Sequence, residues 1–182
     1  MNHDEQQKLL CWARQTIEAA VRGERLPKIS QGELTADLRS PHAAFVTLKK
    51  HGELRGCIGM MDFKKALWEN VVRSAKAAAL EDPRFPPVEE AEVAELELEI
   101  SALEPPRAIR SPDEFDHLRH GIIITQGWSH GLFLPQVARE EGWDKQKTLE
   151  MVCWKAGLPE DAWRATDARL EVFTAEVFGE KD

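Results

Sequence analysis

The chain has 182 residues, 31% of them charged and 42% hydrophobic, and a formal charge of -8 at pH 7. That length fits a single domain over residues 1–182, with room for two lobes, and buries about 70% of the unfolded surface without a covalent staple. The acidic balance argues against non-specific nucleic-acid binding, and no apolar run reaches the roughly 18–20 residues a bilayer span needs, while Cys11, Cys57 and Cys153 have no paired spacing and residues 1–8 are polar, which points to a reducing cytoplasm.

Leu9, Leu10, Ala13, Ile17, Ala20 and Val21 recur at helical spacing, predicting an amphipathic helix over 4–21 that Gly23 ends. A long polar connection, 24–41, follows, and such length reads as a functional loop or the entry to a second lobe. A strand over 43–49, a tight turn at Lys50, His51 and Gly52 and a second strand then form a hairpin. The second strand holds Leu54-Arg55-Gly56-Cys57-Ile58-Gly59, a thiol between two glycines.

The strand period puts Arg55, Cys57 and Gly59 on one face, so the thiol is expected beside a guanidinium, with the glycines leaving room above the sulfur. Room and positive charge favour a reactive thiolate. The competing reading is a small buried cysteine in a kinked strand.

Asp62 is placed to cap a helix over 63–80 whose buried stripe is Leu67, Val71, Ala75, Ala78 and Ala79. Pro83 ends it, and 82–87 becomes a stiff loop in which Asp82 and Arg84 either bind a partner or anchor the loop itself. Residues 95–102 alternate cleanly as a half-buried antiparallel strand; Glu95, Glu97 and Glu99 on its polar face are better explained by pairing with Lys49, Arg55 or Arg169 than by a metal.

Ser111, Pro112 and Glu114 predict a helix over 112–118, and His117 and His120 near its end read as solvated rather than as metal ligands. A hairpin of strands 121–126 and 131–134, turning at 127–130, leads to a short helix over 135–141 and a longer one capped by Asp144 and ended by Gly157. Cys153 falls on the apolar stripe of that last helix, and Cys11 is assigned to the core in the same way. Residues 169–178 read as one further strand in the same sheet.

The hexapeptide at 54–59 resembles the signature of the AMMECR domain, named for the Alport syndrome, midface hypoplasia and elliptocytosis chromosomal region. In microbes that family is called AmmeMemoRadiSam system protein A. The run Glu81-Asp82-Pro83-Arg84-Phe85-Pro86-Pro87 supports the resemblance, as do Gly131-Leu132-Phe133-Leu134-Pro135-Gln136-Val137-Ala138 and Lys155-Ala156-Gly157-Leu158 with Trp163 after it. The resemblance implies an α+β fold, a mainly antiparallel sheet flanked by helices with a smaller second lobe. It also implies a Memo-type protein and a radical S-adenosylmethionine enzyme as partners, and it carries over no catalytic set and no cofactor.

Two functions follow. One is a binding or accessory component of a modification pathway, in which Arg55, Gly56, Gly59, Asp82 and Arg84 form a groove for a partner protein, a peptide or a small acidic ligand. The other is a thiol-dependent enzyme with Cys57 as nucleophile, for which the sequence names no adjacent base beyond His51 or His130. The first is favoured because a catalytic site ordinarily supplies a visible acid or base.

Overall fold

The computed structural model describes residues 1–181. The first helix, α1 (His3–Val21), opens on a capping box: Glu5 N donates to Asn2 Oδ1 at 2.9 Å and Asn2 N to Glu5 Oε2 at 2.8 Å. Leu9, Leu10, Ala13 and Ile17 are its buried stripe, and Gly23 takes φ 68° just past its end. Cys11 is exposed rather than in the core, because it lies off that stripe, where Gln15 Nε2 donates to its sulfur at 3.4 Å.

The polar connection is structured. Ser30 caps a 3-10 turn (Gln31–Glu33), and Thr35 caps a short helix, α2 (Ala36–Arg39), that buries Leu38.

Strands β1 (Ala43–Lys50) and β2 (Glu53–Met60) form the expected hairpin, with His51 at φ 53° and Gly52 at φ 85°. Two positive φ values in a two-residue turn match the twist of the strands. Helix α3 (Leu67–Leu80) starts later than 63, and Asp62 does not cap it. Leu67 N donates to Ser40 O, and Ala66 bridges Pro41 in extended conformation, so the helix cannot begin before Leu67. Strand β3 (Leu96–Leu103) pairs with β1 and turns Leu96, Leu98, Ile100 and Ala102 into the core.

The second unit begins with β4 (Arg107–Ala108). The helix expected over 112–118 is one 3-10 turn, Pro112–Glu114. Phe115, 2% exposed, leaves it in extended geometry to reach the core, which stops the helix. Strands β5 (Gly121–Gln126) and β6 (Ser129–Phe133) turn through only Gly127 and Trp128, a tighter hairpin than 127–130. Helix α4 (Val137–Glu140) is short, whereas α5 (Lys145–Lys155) is capped by Asp144 and followed by Gly157 at φ 72°. Cys153 is buried on α5 as expected.

The last predicted strand is two strands, β7 (Arg169–Phe173) and β8 (Ala175–Gly179), broken at Thr174 and lying in different sheets. Among the described residues the fold is α+β, with two four-stranded sheets ordered β2-β1-β3-β8 and β4-β7-β5-β6. Met1–Leu103 with the stretch from Glu176 onward is one compact unit, and Glu104–Ala175 is the other, smaller one. In the first, α3 packs on β1 and β2, and α1 packs on α3 and β3. In the second, α5 packs on β5 and β6 around Phe115, Ile122, Ile124, Leu149 and Val152. No helix among the described residues is long and apolar enough to cross a membrane.

Candidate functional site

The segment 54–59 lies on β2, an edge strand, and its register is not regular. Leu48 faces Gly56 while Lys49 faces Leu54, so Arg55 is the extra residue of a β-bulge. Its side chain is 13% exposed and makes four hydrogen bonds: Nε donates to Glu92 Oε1 at 3.1 Å, Nη2 to Glu92 Oε2 at 2.9 Å and to Pro87 O at 3.3 Å, and Nη1 to Pro86 O at 2.9 Å. The Arg55 fork, with a backbone bond from Glu89 behind it, holds the Glu92 carboxyl down to about 2. Arg55 thus fastens the loop after α3 to β2.

The glycines are tightly packed rather than open. A Cβ at Gly56 would collide with the Ala78 carbonyl, so this position seats β2 directly on α3. The Phe45 ring lies across Gly59, so this glycine is covered by an aromatic ring rather than open.

Cys57 is half-buried, with its Sγ 3.2 Å from Thr47 Oγ1 on the facing strand. Its backbone is held on both sides. Cys57 N donates to Asp82 Oδ2 at 2.8 Å, and Arg84 Nη2 donates to Cys57 O at 3.2 Å. Asp82, 5% exposed, also accepts from Arg84 N at 3.1 Å, from Nε at 3.0 Å and from Nη2 at 2.7 Å. An edge strand leaves outward N–H and C=O groups without a neighbour, and Asp82 and Arg84 take that place beside Cys57.

The Arg84 guanidinium, helped by the Cys57 and Arg84 backbone donors, keeps the Asp82 carboxyl well below the usual carboxylate range. Asp82 in turn raises the Arg84 pKa. The Arg84 side chain remains 54% exposed, beside the Phe85 ring.

So firmly ionised a carboxylate does not take a proton at neutral pH, which makes Asp82 an anchor and not a base. Of the two expected histidines, His51 is engaged away from the thiol, its Nε2 pairing with Glu95 at 2.7 Å, and His130 lies in the second unit with its Nδ1 3.3 Å from Thr125 Oγ1. On β3, Glu99 pairs with Lys49 at 3.0 Å and Glu97 with Lys181, while Glu95 pairs with Lys50 and His51 just before the strand. Arg169 pairs with Glu171. His120 Nδ1 accepts from Asp116 N, and burial lowers its pKa.

Of the residues singled out in the sequence, Cys57, Asp82 and Arg84 come together in one network, Gly56 and Gly59 pack the strand that carries it, and Arg55 points away to Glu92. Thr47 and Glu92 are site residues the sequence reading missed. Only the hairpin register signals Thr47, and nothing in spacing signals Glu92.

These features define an α+β protein whose first sheet carries a cysteine on an edge strand locked by an acid–arginine loop. The AMMECR1 family model matches residues 10–178, and the chain belongs to that family. It is 39% identical to a protein of Methanothermobacter thermautotrophicus over 186 aligned residues, 99% of this chain and 96% of the relative. Protein MK0488 of Methanopyrus kandleri is 44% identical, covering 85% of this chain and 79% of its own. The crystal structure of the uncharacterized protein PH0010 from Pyrococcus horikoshii superposes with a TM-score of 0.83 at 36% identity, covering 96% of this chain and 90% of that one.

Proposed function

We propose that the chain is a cytoplasmic binding component of a modification pathway, working with a Memo-type protein and a radical S-adenosylmethionine enzyme, and that partners are recognised at 54–59 and the adjoining Asp82–Arg84 loop. One observation carries this reading: Asp82 is spent on holding Arg84 and the Cys57 backbone, while Arg84 stays half exposed. The network therefore holds a half-exposed guanidinium in place beside a carboxylate that is not a base, which suits recognition of a polar or acidic group better than acid–base chemistry. Gly56, Gly59 and Arg55 hold the strand and loop that present it.

The test is pairwise binding of the purified chain to a Memo-type protein and to a radical S-adenosylmethionine protein from the same cell. Arg84→Gln should weaken capture about tenfold, equivalent to about 1.4 kcal/mol, and Cys57→Ser should leave it unchanged. Absence of binding to either protein, or loss with Cys57→Ser alone, removes the reading.

The second reading, a thiol-dependent enzyme with Cys57 as nucleophile, draws on the Thr47 hydroxyl 3.2 Å from the sulfur and on the nearby Arg84 charge. It predicts unusually fast alkylation of Cys57.

A further inference from the structure

We infer that the second unit, Glu104–Ala175, carries an anion-binding cavity of its own, separate from 54–59, for a small organic carboxylate or phosphate with an apolar body. The cavity has a volume of about 470 Å³, inside the range of about 300–1,000 Å³ usual for small-molecule sites. Its inner wall is apolar, with Leu170 on β7 6% exposed and Ile109, Trp163 and Ala168 half-buried. Its outer lining includes two exposed arginines, Arg110 after β4 and Arg164 in the 3-10 turn Ala162–Arg164.

Charge is what distinguishes this hollow. The chain is acidic overall, yet neither Arg110 nor Arg164 makes an ion pair among the described residues, and the neighbouring Glu114 and Glu171 are paired with other arginines. Glu114 accepts from the Arg110 backbone at 2.9 Å and pairs with the Arg107 side chain at 3.3 Å. Glu171 pairs with Arg169 at 2.8 Å, and Asp167 accepts from Gln126 at 2.8 Å. Asp161 lines an adjoining hollow with Arg164 but makes no ion pair with it.

The Arg164 guanidinium carbon lies 4.5 Å from the Trp163 ring centroid, a cation–π contact that holds the charge against the aromatic wall. Two unpaired arginines on one cavity lining suit the charge and bidentate acceptors of carboxylate and phosphate, and the apolar wall takes the body of the ligand. Thr166, exposed on the same lining, adds a hydroxyl donor.

The experiment titrates the full chain with phenyl phosphate, phenylacetate and benzyl alcohol, following the Trp163 indole N–H by NMR, its resonance assigned with Trp163→Phe. Both anions should shift that resonance saturably, with benzyl alcohol about tenfold weaker or more, which is about 1.4 kcal/mol. Arg110→Gln, at an exposed position, should weaken the anions about tenfold with no change in melting temperature or in benzyl alcohol affinity. Tighter phenyl phosphate identifies a phosphate ligand, and tighter phenylacetate a carboxylate. Benzyl alcohol binding as well as the anions, indifference to Arg110→Gln, or no saturable shift at Trp163 would each overturn the inference.

Discussion

The backbone N–H of Cys57 donates to the Asp82 carboxylate at 2.8 Å across 25 residues of chain. A loop side chain thus occupies the place of a neighbouring strand. Asp82→Ala strands that donor and leaves Arg84 without its anchor, so it should cost about 2–3 kcal/mol in urea unfolding. Asp82→Asn, which keeps one acceptor, should fall between the variant and the parent; an unchanged midpoint in both would contradict the anchoring role.

Acid should act through the same loop. Glu92 is depressed from 4.5 to about 2 in the folded chain, chiefly by Arg55, and Asp82 is depressed further by Arg84. A carboxylate whose folded pKa is lowered contributes fully above its unfolded pKa and loses that contribution as pH falls toward the folded one. The stability difference between parent and Glu92→Gln should therefore be flat at neutral pH, shrink below pH 4.5 and be gone near pH 2. Thermal melts across that range measure it, and a difference that grows on acidification has the wrong sign.

Gly56→Ala pushes a methyl group into the Ala78 carbonyl, a backbone atom that cannot swing aside. The expected loss is about 1–3 kcal/mol, as for overpacking. Gly52→Ala makes an informative comparison, because its Cβ meets open space and only its φ of 85° is strained.

The three cysteines provide internal controls for alkylation. Cys11 is exposed, and Cys153 is buried with its thiol pKa raised by burial. Iodoacetamide at neutral pH should label Cys11 first and Cys153 last, with Cys57, half-buried against Thr47, no faster than Cys11. Mass spectrometry resolves the order, and a leading Cys57 would shift the balance to the thiol enzyme.

Arg55→Lys keeps the charge but loses the fork that grips Glu92 and the Pro86 and Pro87 carbonyls. Hydrogen exchange should quicken over 85–92 while β1 stays protected. Equal exchange in that loop would show that Arg55 does not fasten it.

Much of the fold is readable from alternation and punctuation. Leu96 through Ala102, the turn at Gly52 and the stops at Gly23 and Gly157 all follow from side-chain period and backbone freedom. The site is harder to read because its key event is a single extra residue. A regular hairpin turning at His51 and Gly52 would set Thr47 opposite Gly56; the bulge at Arg55 moves it opposite Cys57 and turns the arginine toward Glu92. Two-residue counting through 54–59 has no means of registering that slip. Phe115 and Thr174 were hidden for a related reason, since each breaks a local pattern to satisfy packing or pairing set by distant residues.

The break at Thr174 also bears on how the chain is made. Glu104 N donates to Thr174 O at 3.1 Å and Thr174 Oγ1 to Glu104 Oε2 at 2.7 Å, so the two ends of the second unit are fastened together. Strand β8, which completes the first sheet, follows only after that whole unit. During synthesis the β3 edge of the first sheet must therefore stay open while residues 104–174 are made, and it is closed only once β8 has emerged.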